Sequence, residues 1–455
     1  FIDRISWILP GYFVRQVLPP LIANFVIHLA VYYLASFGVY GIMNKLFQPR
    51  IALVTAIFMG QHPVFLRAVG WDYMDGYSLA LITLIAFFLT YASMSKRPKW
   101  YLLGGGITVG IAVVAQFFNF LYLPALGLYY LALNHRYQRH HIIKAIFWGG
   151  IGAGVLLLIQ TIIYYQFTGR WFLWQNTLKA VNVGIDPKLW RQQLLNSYSD
   201  SIFSWHIFYL MVLITGILAI ISLKRFRVVY GDNTEDIRYR LSTLVIYLSA
   251  LYFVFVFWWI IADNQIFRLA FYSSILTPSV FMVLGALLAG RIYRLSDRHF
   301  KNFIFVIIIF PLFFFALYTR LTPVQLLLLW FFGTLFGMLF FVFTFTNKRK
   351  FGMISIIIAV TMLNYVSGID PRYIGILFRD RFYNQMNYEV VMDASQIIND
   401  RYDNYHLETF RFWYDDKDSN RRTILSLSSI YLHQWNRRII PINRKNENPR
   451  WDDYL

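Results

Sequence analysis

Hydrophobic positions in this chain do not form stripes. They run together in blocks of about twenty, separated by short polar breaks. A block of that length matches the hydrocarbon thickness of a bilayer when wound as a helix. Reading block by block predicts twelve spans: 18–43, 51–66, 77–95, 101–115, 117–133, 143–166, 203–224, 241–262, 268–289, 302–319, 323–346 and 351–366. The stretch 101–133 is apolar throughout, yet one helix of that length would reach nearly 50 Å, against a core of about 30 Å. It is therefore split near Gln116 into two helices. The last apolar run ends at Ser367-Gly368-Ile369-Asp370-Pro371. Beyond it, Val390 to Asn399 reads as helix and His406 to Tyr414 alternates like a strand. The expected fold is an all-α polytopic membrane protein of about twelve spans (residues 1–366), followed by a small α/β extracytoplasmic domain (residues 367–455).

Composition agrees with this reading. The chain is 58% hydrophobic, 20% aromatic and 14% charged, with a mean hydropathy of +0.49. Soluble domains carry about 25% charged residues. The formal charge of +19 raises nucleic acid as a partner, but its distribution speaks against that. Residues 367–455 hold 13 basic and 13 acidic side chains, so the excess lies between the apolar runs. There it follows the rule that basic loops stay in the cytoplasm. Loops 44–50, 96–100, 134–142, 225–240, 290–301 and 347–350 with their margins hold 20 Lys and Arg; the opposite loops and termini up to residue 366 hold nine. The alternation holds only if 101–133 crosses twice. Residues 1–17, 60–76, 167–202, 263–267 and the C-terminal segment are then expected outside. The absence of cysteine excludes disulfides and thiolate metal sites. The chain begins at Phe1 without a signal pattern, and a further span and outer loop are expected upstream, making thirteen spans in the full chain.

Ionisable residues at membrane depth are candidates for function. The outer segment Gln61 to Gly76 concentrates them: His62, Arg67, Asp72 and Asp75. Asp72 and Asp75 stand three apart, a spacing that places two carboxylates on one side of a helical turn. Such a pair suits a divalent cation such as Mg or Mn together with a substrate phosphate, or a general base. The bland alternative is that Asp75 begins the next helix and that His62-Pro63 ends the preceding one. Outer arginines form a second set: Arg15, Arg67, Arg170, Arg268 and Arg320. Arg268 opens a span directly after Asp263-Asn264-Gln265 and suits a lipid phosphate through paired hydrogen bonds. The alternative is an interfacial anchor. The 167–202 loop is amphipathic and rich in tryptophan, as an interfacial segment would be. No nucleotide-binding loop, dinucleotide fingerprint or Ser/His/Asp pattern is present.

Three local patterns in this architecture resemble the GT-C superfamily of glycosyltransferases, in the branch of dolichyl-phosphate-mannose protein mannosyltransferases and bacterial aminoarabinose transferases. One is Arg50 to Pro63 followed by Arg67 and Gly70-Trp71-Asp72-Tyr73-Met74-Asp75-Gly76. Another is Trp100 to Ala112, running into Gln116 and Leu123-Pro124; many relatives carry a Lys near Gln116. The third is Arg268-Leu269-Ala270-Phe271-Tyr272 leading to Pro278. The resemblance implies transfer of a sugar from a polyprenyl-phosphate donor to a lipid, glycan or protein acceptor at the outer face of a membrane, expected to be a bacterial plasma membrane. It implies a main catalytic Asp in the first outer loop, expected upstream of Phe1. Asp72 and Asp75 fall in the second outer loop, where the family holds a metal or the acceptor. Arg67, Arg268 and His62 are expected at the substrate. Two other readings share the same spans: a non-catalytic membrane subunit with this fold, and a transporter or flippase of a lipid-linked substrate.

Overall fold

A computed structural model describes residues 5–70, 75–134, 140–174, 215–217, 234–262 and 274–292, short pieces at 296–298, 300–301, 304–305 and 307–308, and the segments 410–414 and 439–443. Asp72, Arg268, Arg320, most of the 167–202 loop, most of the 203–224 span and the spans beyond 308 lie outside the described residues.

The described part is helical, apart from one pair of strands. Helix α1 covers Ile5–Val17, α2 Pro20–Leu46, α3 Pro49–Gly60, α4 Pro63–Gly70, α5 Asp75–Met94 and α6 Pro98–Ala115. A 3-10 helix, Phe117–Tyr122, leads into α7, Leu123–Leu133; then follow α8, His140–Thr168, and α9, Thr234–Ala262. A 3-10 turn, Ser274–Leu276, opens α10, Thr277–Ile292. Proline opens α2, α3, α4 and α6, where its missing N–H costs nothing. Strands β1, Phe410–Tyr414, and β2, Ile439–Asn443, pair in parallel, with Phe410 opposite Ile439. β1 falls inside the alternating segment His406 to Tyr414; the rest of the C-terminal region lies outside the described residues.

Five of these helices are long and apolar enough to cross a bilayer. The outward faces carry large apolar side chains in the open, such as Phe37, Ile146 and Phe253, each about two-thirds exposed. A water-soluble protein does not tolerate that; lipid does. The protein is an integral membrane protein. The expected span 51–66 is not one straight helix: α3 and α4 meet at a bend of 68°. Gln61 and His62 lie at the bend, where Pro63 denies the ladder an N–H and so resets the helix. The split near Gln116 is found. Gln116 is extended (φ −150°, ψ 112°), and α6 ends on its N–H, which bonds the Ala112 carbonyl.

The chain divides into two compact units. One comprises Phe1–Phe13 with Val26–Pro371, the other Val14–Phe25 with Arg372–Leu455. Within the second, Arg15 donates to the Asn24 side-chain oxygen through Nε at 3.2 Å and Nη2 at 2.6 Å.

In the first unit, α2, α3, α5, α7, α9 and α10 share one apolar core that includes Ile42, Met59, Leu79, Tyr129, Phe255 and Met282. The α6–α8 pair is built differently. A Cβ on Gly106 would overlap the Gly149 carbonyl, and one on Gly152 the Leu103 carbonyl. Backbones touch here because no side chain stands between them. In lipid, where apolar burial drives no association, such close packing is what joins helices.

Candidate functional site

The site is assembled around the N-terminal end of α5. Asp75 opens this helix, with only 6% of its surface exposed. A carboxylate in the first turn meets the positive end of the helix dipole and the free backbone N–H groups. Gly76 fixes its place. A Cβ there would lie 2.5 Å from the Ala68 carbonyl oxygen and 2.8 Å from Val69 Cα. The start of α5 therefore packs backbone to backbone on the end of α4. That end is tied in turn to α2, since His28 Nδ1 lies 2.6 Å from the Val69 carbonyl oxygen. A carbonyl only accepts, so this nitrogen carries the proton.

One turn further along the same face of α5 stands Ser78, itself buried. Its hydroxyl donates to Gln116 Oε1 at 2.8 Å. Asn119 Nδ2 donates to Ser78 Oγ at 2.9 Å and to the Ala112 carbonyl at 2.8 Å. Asn119 comes from the 3-10 helix and is 1% exposed. Polar groups so buried are costly unless paired, and this chain of bonds pairs them. It also covers the last turn of α6, where a helix leaves carbonyls unmet. Three elements are thus joined by polar side chains in an otherwise apolar setting.

Aromatic rings close the flanks. Trp7 of α1 lies 5.0 Å from Tyr77, and Gln160 of α8 donates to Ser6 Oγ at 2.6 Å. After α8 the chain turns at Gly169, whose φ of +67° suits glycine, and its N–H bonds the Tyr165 carbonyl. The following segment folds back, so that Trp174 lies 5.6 Å from Phe117 on the 3-10 helix.

Of the residues expected from the sequence, Asp75 is found at this joint. Arg67 lies on α4, the helix that packs on the start of α5. His62 sits at the α3–α4 bend, fully buried, with its ring 5.2 Å from that of Phe281. Its carbonyl accepts from Leu66 N, and its own N–H bonds the Met59 carbonyl. Asp72 and Arg268 lie outside the described residues. Among the described residues no three His, Cys, Asp or Glu side chains converge on a point that would hold a metal. Asp75 offers one carboxylate toward such an ion. The parts that sequence reasoning missed are Ser78 and Asn119. The available signal was Gln116 and Asn119 standing three apart inside a 33-residue apolar run, where each amide needs a buried partner.

Residues 21–165 match the model of the family described as dolichyl-phosphate-mannose-protein mannosyltransferase. Among solved structures, the chain is similar to ArnT from Cupriavidus metallidurans bound to undecaprenyl phosphate. Identity is 13% and the TM-score 0.49, with 93% of this chain and 76% of that one covered. It is also similar to the Archaeoglobus fulgidus oligosaccharyltransferase in complex with zinc and sulfate, at 14% identity and a TM-score of 0.38. There it spans 92% of its own length and half of the other chain's. A search of curated proteins finds no match. The chain resembles the GT-C superfamily of membrane glycosyltransferases through the same segment, α2 to α8, that holds Asp75, Ser78 and Gln116.

Proposed function

We propose that the protein is a membrane glycosyltransferase that moves a sugar from a polyprenyl-phosphate donor to an acceptor at the outer face. The observation that carries the reading is the family match over residues 21–165, which encloses the buried polar joint at the start of α5. A reactive carbon tethered to a lipid stays at the membrane surface, so a transferase acting on it must offer polar groups at that depth.

In this reading the acceptor hydroxyl or amine attacks the anomeric carbon, the bond to the phosphate oxygen breaks, and polyprenyl phosphate leaves with the electron pair. Asp75 and Asp72 bind and orient the acceptor and draw on its proton. Arg67 and Arg268 meet the charge that grows on the leaving phosphate, the kind of preorganised stabilisation that contributes most in a dry site. His62 holds the α3–α4 bend that presents Arg67.

The test is transfer from a radiolabelled polyprenyl-phosphate sugar pool by the full chain reconstituted in vesicles, compared with Asp72→Asn and Asp75→Asn. Transfer by wild type that falls in either variant supports both activity and site. Transfer indifferent to both keeps the activity and discards the carboxylates. A wild type inert toward several donors, in a folded preparation, overturns the reading in favour of a non-catalytic membrane subunit.

A further inference from the structure

We propose that Gln116 donates a hydrogen bond to a phosphate oxygen of the lipid-linked substrate, and that Asn119 and Ser78 are positioning residues that aim its amide. The inference rests on the glycosyltransferase reading and assigns a substrate contact within it.

The Ala112 carbonyl has one possible role, to accept. The amide end of Asn119 that faces it, 2.8 Å away, must therefore be Nδ2. The second hydrogen of that nitrogen goes to Ser78 Oγ. The Ser78 hydroxyl accepts there and gives its own hydrogen to Gln116 Oε1, 2.8 Å away. The chain of bonds, anchored on backbone at one end, thus ends in the Gln116 Nε2 group with both hydrogens unspent on these partners.

Gln116 is the extended residue between α6 and the 3-10 helix, and it is only partly buried, whereas Ser78 and Asn119 are 2% and 1% exposed. A polar chain serving stability alone would close on itself, as Thr90 and Tyr129 do at the far end of α5. This one delivers a pair of donors to its accessible end, beside Ser78, which stands one turn from Asp75 on α5. Neutral donors held by a rigid frame suit an anionic oxygen, because they lose no freedom on binding.

The test is binding of polyprenyl monophosphate to the full chain in lipid nanodiscs. Gln116→Leu should weaken it about tenfold, the cost of one hydrogen bond to a charged group. Gln116→Glu should weaken it further, by placing like charges together. Free polyprenol, which lacks the phosphate, should bind the variants and the wild type alike. Ser78→Ala should cost several-fold, and that cost should vanish in the Gln116→Leu background, where there is no amide to aim; loss of packing alone would persist there. Unchanged binding in folded Gln116→Leu overturns the proposal. So does Gln116→Glu binding as well as wild type, or effects of Ser78→Ala and Gln116→Leu that simply add. Inorganic phosphate bound with the same Gln116 dependence would overturn the lipid assignment. A wild type that binds no polyprenyl phosphate overturns this inference and the glycosyltransferase reading together. A wild type that binds and transfers regardless of Gln116 overturns this inference alone.

Discussion

The two ends of α5 are chemically unlike. At its C-terminal end, Thr90 donates back to the Ala86 carbonyl and shares a 2.7 Å hydrogen bond with the Tyr129 hydroxyl. The Tyr129 ring lies 4.7 Å from that of Tyr247, and both side chains are buried. The Thr90 and Tyr129 hydroxyls there bond within the fold. At the N-terminal end, Ser78, Asn119 and Gln116 form a directed chain that stops at a donor. Both ends carry buried polar groups, so polarity alone does not mark a site. The mark is whether the bonds close. A closed set rigidifies a bundle; an open one, held just as firmly, offers something to a ligand.

That contrast can be tested by breaking each side. The largest effect is expected from Gly106→Leu at the α6–α8 contact, which holds the bundle that frames both ends. Its side chain would meet backbone that cannot rotate away, costing about 3 kcal/mol or more. Thermal unfolding in detergent should show the loss, and a variant as stable as wild type would refute the close α6–α8 contact. Next comes Asp75→Asn at the open end. It is expected to cut sugar transfer about 100-fold while leaving the unfolding temperature near wild type. The reverse result, lost stability with retained transfer, would make Asp75 a helix-start residue and no more. Tyr129→Phe should cost about 1 kcal/mol of stability and leave transfer unchanged. A fall in transfer there would show that the far end of α5 is not closed in the sense argued.

The smallest effect concerns the rim. Arg50 pairs with Asp297 and lies 5.2 Å from the Phe300 ring. The Asp297 side chain is 79% exposed, so solvent screens the pair. Arg50→Gln should cost below about 1 kcal/mol, measured as a small, salt-sensitive shift in unfolding temperature.

The helices were legible because lipid enforces them. Without water to meet the backbone, an apolar run must bond its own N–H and C=O groups, and the helix is how it does so. The boundaries of α2, α5, α6 and α8 accordingly follow the apolar blocks to within a few residues. The break at Gln116 was legible for a simple reason: one helix over 101–133 would be longer than the membrane is thick. The 68° bend at His62-Pro63 was not, since a proline at the end of an apolar run marks a boundary without giving its angle.

Asp75 was legible as a candidate because a carboxylate at membrane depth is conspicuous. Ser78 and Asn119 were not, because they lie 41 positions apart and nothing local pairs them. The sequence by itself determined that this chain enters the membrane, where its helices lie and which polar residues are too costly to be idle, since those follow from transfer of each segment out of water. Which of those residues meet, and in which direction their hydrogen bonds run, only the tertiary structure decided. A hydrogen bond depends on the placing of two atoms to within a few tenths of an ångström, and helix packing alone sets that distance.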